Sequence, residues 1–459
     1  MNEDLKPYDS YQPVNLLWLD QIPSIWEIKR VAVLFNEQKA KNKNYEIRKA
    51  FQFKFGNIVD KKQLGTEDEL KETYENYTRV DIDDIIINGL NLNYDFLTQR
   101  VGMVQKMGII TSAYISMRPR EYVNPKYTCY LLKSMDNIKM LNGLGTGIRL
   151  TLSYGELKKQ YIPIPSFSEQ DQIVKFLDFK IAKINKFIKD KKREIELLKE
   201  LKQAEINRLV TKGLNPNAPM KDSGIDWIGE IPEHWEIRRL KYAMDFNPSI
   251  EFEIEEETLV SFMPMECLRN GIIEKRLAVY KIVKGYVPFQ NEDVVMAKVT
   301  PCFENGNISV AKDLENSVGF GTSEIFVLRC KEILLNTYLF YFLQTQYFKN
   351  KGIASMTGTG GLKRVSPKVV RNISFPLPGI DEQSKIVEFI GAKCTSIDKL
   401  ISTTQIEINL SQEYKTSLIS SVVTGKVDVR GVKIAEVFEP EALEEPEVGD
   451  EAGEVEEEI

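Results

Sequence analysis

Histidine, cysteine and long hydrophobic runs are scarce in this sequence. It has one histidine, His234, and five scattered cysteines without a CxxC pair: Cys129, Cys267, Cys302, Cys330 and Cys394. Zinc sites and histidine-based nuclease centres need several such residues at short spacings. We therefore expect no metal bound by this chain, no catalytic histidine and reduced thiols in the cytoplasm, with His234 in a surface or packing role.

The motifs of several enzyme and membrane classes are also missing. No apolar run reaches the roughly 20 residues of a membrane span, and the polar N-terminus does not resemble a signal peptide. The sequence contains no NPPY-type methyltransferase tetrapeptide, no GxGxxG after a strand and no GxxxxGK[ST] phosphate loop. These absences predict a cytoplasmic, non-catalytic protein without a membrane contact.

The net charge of −6 is concentrated at one end of the chain. Residues 435–459 contain twelve acidic residues and no basic one, so the rest of the chain has 61 basic and 55 acidic residues, a net of +6. A segment so rich in Glu, Pro and Gly buries too little apolar area to fold, and we expect a disordered acidic tail. The mildly basic remainder is compatible with binding a polyanion.

An internal repeat with an offset of about 210 residues covers most of the sequence. Segment 22–30 (IPSIWEIKR) returns as 231–239 (IPEHWEIRR), and Gly-Thr-Gly at 145–147 returns at 358–360. Glu-Gln at 169–170 returns at 382–383. Two copies of one domain-sized unit predict a pseudo-two-fold molecule, which suits a two-part target.

Each copy begins with a mixed part and ends with a long helix. Runs 84–88 and 293–297 are predicted as equivalent buried strands, followed by a second equivalent pair at 112–117 and 323–328. Helical stretches 126–141 and 336–350 interrupt these strands, so the first part is α+β. From Leu177 and again from Ile390, apolar residues recur at alternating spacings of three and four, which predicts a coiled-coil seam with a few polar members.

Neither amphipathic helix can bury its apolar stripe alone. We therefore expect the two helices to pack on each other, and pseudo-two-fold symmetry makes the pairing antiparallel. Gly213 and Gly425 are predicted to end them. The outward charged residues, such as Lys189 and Arg193, face either partner proteins or water.

Three segments resemble the specificity subunit of type I restriction-modification systems. They are the stretch 221–235, the Pro-rich strands 162–165 and 375–378 leading to the Glu-Gln pairs, and the two Gly-Thr-Gly loops. The resemblance runs from about Trp18 to Gly425. It implies an α+β fold with two target-recognition domains in pseudo-two-fold repeat, separated by two long antiparallel coiled-coil spacer helices.

The resemblance also implies boundaries and partners. The expected parts are an N-terminal arm (1–13), target-recognition domain 1 (14–166), a central spacer helix (167–214), a linker (215–230), target-recognition domain 2 (231–379), a C-terminal spacer helix (380–425) and an acidic tail (426–459). The expected partners are double-stranded DNA, two methyltransferase subunits and restriction (motor) subunits. S-adenosylmethionine, ATP and Mg²⁺ belong to those partners, and this chain binds none of them.

The Gly-Thr-Gly loops are the first candidate DNA contacts. Their small residues let main-chain amides approach a phosphate, and cations follow in both copies. The candidate residues are Thr146, Arg149, Thr359, Lys363 and Arg364. An ordinary turn that needs positive φ angles explains the glycines equally well.

Base readout is expected where the copies differ, because two different half-sites need different side chains. Asn suits adenine edges, and Arg and Lys suit guanine. The candidates are Asn88, Asn91, Asn93, Arg100 and Lys106 in copy one, and Lys298, Thr300, Asn305 and Asn307 in copy two. A polar surface loop would have the same composition.

Two further features have open interpretations. The matching pairs Thr111-Ser112 and Thr322-Ser323 either donate hydroxyls to DNA or terminate a strand. The tryptophans beside the Ile-Pro pairs, Trp26 and Trp235, favour packing over base stacking. The alternative function is a stand-alone architectural or interaction protein that acts through its repeats and coiled coil, without restriction partners.

Overall fold

The computed structural model describes residues 5–434, except 63, 97, 149, 251, 252 and 360. The chain forms two compact units. Unit 1 contains the chain up to Lys191 and from Glu407 onward, and unit 2 contains Lys192–Ile406. Each unit holds one of the two predicted domains together with part of each long helix.

Unit 1 begins with twelve short strands and five short helices. The strands are β1 (Tyr11–Leu16), β2 (Leu19–Pro23), β3 (Glu27–Arg30), β4 (Phe35–Glu37), β5 (Phe51–Lys54), β6 (Asn57–Asp60), β7 (Thr78–Val80), β8 (Ile85–Ile87), β9 (Val101–Met103), β10 (Gly108–Ile110), β11 (Ile115–Pro119) and β12 (Tyr161–Ile164). The helices are α1 (Val31–Leu34), α2 (Glu67–Glu75), α3 (Pro125–Asn137), α4 (Met140–Gly143) and α5 (Tyr154–Leu157). The long helix α6 (Phe167–Lys212) follows.

The centre of unit 1 is an antiparallel sheet with the order β4-β11-β8-β9. All three isoleucines of β8 are fully buried, as expected for a central strand covered on both faces. Helix α3 packs beside this sheet; it starts at Pro125, and the Asn124 side chain caps it by accepting the Tyr127 N–H. The predicted strands 84–88 and 112–117 and the helix at 126–141 are therefore present with slightly shifted bounds.

Unit 2 repeats this arrangement with more strands. Its strands are β13 (Met220–Asp222), β14 (Glu230–Pro232), β15 (Glu236–Arg239), β16 (Met244–Phe246), β17 (Leu259–Met263), β18 (Leu268–Arg269), β19 (Ile272–Ile273), β20 (Arg276–Val279), β21 (Val287–Gln290), β22 (Val294–Ala297), β23 (Ile308–Val310), β24 (Val318–Gly321), β25 (Ile325–Cys330) and β26 (Ser374–Leu377). Its helices are α7 (Tyr280–Val283), α8 (Asn336–Leu343), α9 (Gln346–Ala354), α10 (Pro367–Asn372) and the long α11 (Ile380–Val423), whose last turns belong to unit 1.

The sheet β16-β25-β22-β23 of unit 2 corresponds to the central sheet of unit 1. Both central strands follow a buried aspartate, Asp84 or Asp293, which binds an arginine of the neighbouring strand. Arg118 Nε donates to Asp84 at 2.7 Å, and Arg329 Nε donates to Asp293 at 2.8 Å. Unit 2 adds a second four-stranded sheet, β20-β17-β24-β21, where the described residues of unit 1 form two-stranded pairs.

The long helices pair antiparallel in each unit. In unit 1, Lys415 Nζ contacts Asn185 Oδ1 at 3.1 Å, and Lys191 Nζ lies 2.9 Å from Glu407. In unit 2, Lys202 Nζ contacts Asp398 at 2.7 Å. The three lysines stand at positions of the predicted seam, Lys191 and Lys202 in the ladder from Leu177 and Lys415 in the ladder from Ile390. These polar members of the seam therefore cross-link the helices. None of the helices in the described ranges combines the length and apolar character of a membrane span.

The structure changes three predicted boundaries. The predicted linker 215–230 contains β13 and the start of β14, which form a hairpin equivalent to β1-β2, and β1 starts within the predicted arm 1–13. Residues 426–434, predicted as the start of the tail, belong to the folded part. Val429 is fully buried, and the backbone of Asp428 forms an isolated antiparallel β-bridge with that of Lys6. Residues 435–459 lie outside the described residues. The repeat therefore begins earlier than 14 and 231, and the folded chain extends beyond 425.

Candidate nucleic-acid interface

In unit 1, the loop after β8 and the Gly-Thr-Gly hairpin lie side by side. Leu152 N donates to Gly89 O at 2.8 Å, and Leu92 N donates to Leu150 O at 3.1 Å. Thr146 and Thr151 close the hairpin through two backbone hydrogen bonds. The structure thus brings the predicted Asn88, Asn91 and Asn93 next to the segment of Thr146. The predicted Arg149 lies outside the described residues.

Unit 2 assembles the same two elements. Val365 N donates to Lys298 O at 2.8 Å, and Thr300 N donates to Lys363 O at 2.9 Å. The Thr300 hydroxyl also donates to Gly361 O at 2.8 Å and accepts from Lys363 N at 3.0 Å. Thr300 therefore has a structural role in joining the loop to the hairpin that carries Thr359 and Arg364.

The cations of this surface in unit 2 differ in their availability. Arg364 forms a bidentate ion pair with Glu324, and both nitrogen–oxygen distances are 2.8 Å. This hydrogen-bonded guanidinium lowers the pKa of the Glu324 carboxyl. Lys298 makes a cation–π contact, with its Nζ 5.3 Å from the centre of the Phe326 ring. Lys363 is exposed to solvent. A phosphate must therefore compete with Glu324 for Arg364 but not for the exposed Lys363 side chain.

Arg100 does not fit the predicted direct contact with DNA. Its side chain is only 2% exposed. Its guanidinium donates to four carbonyl oxygens of the preceding loop, those of Asn88 (3.2 Å), Leu90 (2.8 Å), Asn91 (3.4 Å) and Asp95 (2.8 Å). Because these donors are turned inward and desolvated, Arg100 holds the shape of the loop instead of reading a base.

The Thr-Ser pairs make equivalent turns. The hydroxyl oxygen of Thr111 accepts the Ala113 N–H, and that of Thr322 accepts the Glu324 N–H. Ser112 is engaged by Lys41 and donates to Asn76 O, whereas Ser323 is exposed. The interpretation as strand-end residues is therefore supported for both threonines.

The remaining candidates are dispersed. Lys106 is exposed but lies beyond β9, at the end of the β8-β9 pair opposite to Asn88. Asn305 is exposed on the loop after β22, while Asn307 is buried beside β23. Lys106 and Asn307 are therefore not part of the surface that the loops and hairpins form.

The tryptophans pack in the interior, as predicted. Trp26 and Trp235 are at most 2% exposed, and each indole N–H donates to the glutamate of the repeated Glu-Gln pair, Glu169 at 3.0 Å and Glu382 at 2.9 Å. Tyr8 Oη donates to the same Glu169 oxygen at 2.7 Å. In unit 2, the exposed His234 lies 2.8 Å from Glu382 instead. The single histidine thus has a packing role at the surface.

The same tryptophans contact the ends of the long helices. Gly213 and Gly425 both have positive φ angles, 71° and 77°. A Cβ at Gly213 would lie 3.0 Å from the Trp235 ring, and one at Gly425 would lie 2.4 Å from Pro23 and 3.3 Å from Trp26. Glycine is therefore required at both positions by backbone conformation and by space.

Sequence reasoning did not identify the exposed apolar side chains of this surface. Tyr94 is 79% exposed and Phe96 is 53% exposed on the loop after β8, and Ile148 at the hairpin tip is fully exposed. In unit 2, Leu362 of the hairpin is 54% exposed. In sequence these residues resemble core residues, so no sequence signal marks them as exposed.

The chain matches one protein family twice. The family model, described as the type I restriction modification DNA specificity domain, covers residues 23–197 and 232–410. The chain is 31% identical over 234 residues to the type I restriction enzyme EcoEI specificity subunit of Escherichia coli, an alignment that covers 50% of this chain and 39% of that protein. The chain thus spans well under half the length of that relative.

Other relatives match over a longer range. The type I restriction enzyme MjaVIII specificity subunit of Methanocaldococcus jannaschii is 26% identical, with 90% of this chain and 95% of that protein covered. Two solved structures share the fold. A chain from a structure concerned with complex assembly and conformational transition of the type I R-M system has a TM-score of 0.66 at 14% identity, covering 88% of this chain and 99% of that one. The HsdS subunit from Thermoanaerobacter tengcongensis has a TM-score of 0.51 at 16% identity, covering 88% and 98%.

Proposed function

The chain belongs to the type I restriction modification DNA specificity family, and on this premise we propose that it reads a two-part DNA target, one half-site with each unit. The observation that carries the proposal is the repeated surface. Both units join the loop after the central strand to the Gly-Thr-Gly hairpin through backbone hydrogen bonds. A rigid backbone with variable side chains is the usual way to present specificity residues.

The side chains on this common backbone differ between the units. Unit 1 presents Asn91 and Tyr94, and unit 2 presents Lys363 and Asn305. Amide and ammonium groups suit the edges of adenine and guanine, respectively, and Lys363 also suits a phosphate. We therefore expect the two half-sites to have different sequences.

Partner subunits would dock on the long helices. Several apolar side chains of these helices are about half exposed, with 49% for both Leu197 and Leu201, 52% for Leu400, 58% for Leu410 and 55% for Tyr414. Exposed apolar residues in this number favour a protein partner over water. The partners that fit the family are two methyltransferase subunits, with restriction subunits joining the complex.

We assign the chemistry of the complex to these partners. The chain would position a methyltransferase that flips and methylates adenine, a step that requires the base to leave the helix stack. S-adenosylmethionine, ATP and Mg²⁺ would be bound by the partner subunits, and this chain would be non-catalytic.

The direct test is methylome sequencing of a host that expresses the chain with a type I methyltransferase subunit. The expected result is adenine methylation at a motif with two defined half-sites and an unread gap. Hosts that express either protein alone serve as controls and should show no such motif. A contiguous motif, or methylation that does not depend on the chain, would contradict the proposal.

Two binding and activity measurements separate the alternatives. The chain with its methyltransferase should bind duplex DNA with an affinity that falls steeply with salt, because phosphate contacts release counterions. The purified chain alone should transfer no methyl group from labelled S-adenosylmethionine. Absence of DNA binding in the complex would favour a protein-interaction role for the repeats.

A further inference from the structure

The loop after β8 in unit 1 exposes two aromatic rings that have no role in the core. Tyr94 is 79% exposed and Phe96 is 53% exposed. Loop tips are usually polar, and an aromatic side chain that remains in water forgoes the burial of a large apolar area. An exposed pair on one short loop therefore indicates a contact surface.

This loop is held in a fixed shape. The buried Arg100 guanidinium binds four of its carbonyl groups, as described above. The side-chain amide of Asn142 in α4 donates to Leu92 O at 2.7 Å. Within the loop, the Thr98 N–H donates to Asp95 Oδ1 at 2.9 Å. A rigid loop loses little conformational entropy on binding, so its exposed rings are preorganised for a ligand.

The loop is joined to the hairpin that the sequence predicts as a DNA contact. Leu92, two residues before Tyr94, donates its N–H to Leu150 O, and the neighbouring Ile148 is fully exposed at the hairpin tip. Asn91 and Asn93 alternate with Leu92 and Tyr94 along the same loop. Of these four residues, Asn91 and Tyr94 are exposed, Asn93 is partly exposed and Leu92 is buried, so the loop presents an amide group and a ring to solvent.

The corresponding loop of unit 2 lacks this feature. Its aromatic residue, Phe303, is 3% exposed and packs against Phe348 with ring centres 5.9 Å apart. The exposed rings of unit 1 are therefore not needed to form the shared backbone. They belong to the part of the surface that distinguishes one unit from the other.

We propose that Tyr94 and Phe96 are specificity-determining residues that contact DNA bases in the half-site read by unit 1. This inference rests on the proposed function. Uncharged rings neutralise no phosphate charge, but they stack on bases and pack against the methyl group of thymine. We therefore assign bases as the partners of these rings.

The test compares Tyr94→Ala, Phe96→Ala and the double variant with Tyr242→Ala, which removes a 61% exposed tyrosine from unit 2. The probe is a DNA duplex that carries the motif found in the methylome of the wild-type complex. We expect each loop variant to weaken binding about 5- to 100-fold, the range that corresponds to loss of an aromatic contact with a base. The salt dependence should stay unchanged, because no phosphate contact is removed.

The methylome gives a second readout. The loop variants should accept additional bases in one half-site and leave the other half-site and the gap unchanged, whereas Tyr242→Ala should match the wild type. Thermal unfolding checks that the variants are folded, as expected for exposed side chains. Unchanged affinity and an unchanged motif would overturn this inference while leaving the proposed function intact. A wild-type complex without a two-part motif would instead overturn the proposed function.

Discussion

The hydroxyl of Tyr338 donates a hydrogen bond to the carbonyl oxygen of Val210 at 3.1 Å. This contact ties α8 to the last turn of α6, and the same hydroxyl lies 3.1 Å from Pro376 O on β26. Tyr127 is its counterpart in unit 1, at 3.4 Å from Val423 O near the end of α11. Each unit therefore fixes a helix end by a fully buried tyrosine.

Removing this hydroxyl should destabilise unit 2. We expect Tyr338→Phe to lower the free energy of unfolding by about 1–2 kcal/mol, because a buried carbonyl loses its partner at the helix end. Calorimetry with Tyr242→Phe as control measures the effect, since the exposed Tyr242 hydroxyl makes no hydrogen bond within the described ranges. Equal stability of the two variants would show that the contact contributes nothing.

Glu169 and Glu382, which accept the tryptophan N–H groups, should contribute differently to the free energy of unfolding. Glu169 accepts from Trp26 and from the buried Tyr8, whereas the second partner of Glu382 is His234, whose side chain is 60% exposed and can turn to water. We expect Glu169→Ala to cost roughly 2–4 kcal/mol and Glu382→Ala roughly 1–2 kcal/mol, because only the first leaves two buried donors unsatisfied. Urea unfolding of both variants tests the order, and a larger loss for Glu382→Ala would contradict it.

The ion pair between Glu324 and Arg364 should limit DNA binding by unit 2. Glu324→Gln removes the negative charge that competes with phosphate, so affinity should rise and the slope of log K against log salt should steepen by up to about 0.9, the value for one phosphate contact. Adding Arg364→Ala to Glu324→Gln should reverse this change, because the cation that gains the phosphate contact is removed. Fluorescence anisotropy over a salt series measures both, with Lys275→Ala as a control distant in sequence from the hairpin. A slope for Glu324→Gln that matches the wild type would exclude Arg364 from phosphate contact.

Asp136 gives a pH-dependent prediction. Burial raises the pKa of this carboxyl above its ordinary 3.8, although it accepts the Arg100 N–H at 2.7 Å. Because the folded state keeps this proton to a higher pH than the unfolded state does, the free energy of unfolding falls as the pH rises. The loss begins near the ordinary pKa of 3.8 and is complete above the raised pKa of the folded state. Asp136→Asn retains an acceptor for Arg100 N without the charge.

The Asp136→Asn variant should therefore gain stability relative to the wild type as the pH increases from 4 to 7, and the two should converge at low pH. Thermal unfolding over this pH series checks the sign, and Asp68→Asn at the exposed start of α2 is the control. A variant that is less stable than the wild type at pH 7 would show that the attraction between Asp136 and Arg100 outweighs desolvation.

The paired helices should determine the length of the unread gap. Deleting 192–198 from α6 and 401–407 from α11 removes one heptad from each partner and keeps the phase of the seam. Seven residues span about 10 Å of helix, close to three base pairs of DNA. Methylome sequencing should show a gap shortened by about three base pairs with both half-sites retained. Altered half-sites with an unchanged gap would contradict the prediction.

Most of the architecture was predictable because the sequence contains the central strands and the long helices twice. The strands around Ile86 and Val295 and both long helices follow from apolar periodicity, and the repeat supported each assignment independently. The hairpin of β13 and β14 was missed because its Pro, Asn and Gly content is typical of a linker. Its strands are stabilised by pairing across a long turn and not by local propensity.

The site was less predictable for a physical reason. An arginine close to an Asn-rich segment predicts a contact with a base. Arg100 is instead buried by the carbonyl groups of a loop whose path depends on tertiary contacts. Tyr94 and Phe96 look like core residues in sequence, and only the fold shows that they are exposed. Burial of a loop side chain depends on packing, which periodicity does not encode.

Unit 1 is built from two segments that are far apart in sequence, and this has a consequence for synthesis on the ribosome. Its core includes Val422, Val423 and Val429 together with Trp26 and Leu132, so the part of unit 1 that precedes unit 2 lacks some of its interior until residues 407–429 have been translated. Unit 2 consists of one uninterrupted segment and can fold earlier. A chain that stops before residue 420 would leave the core around Trp26 uncovered on one side.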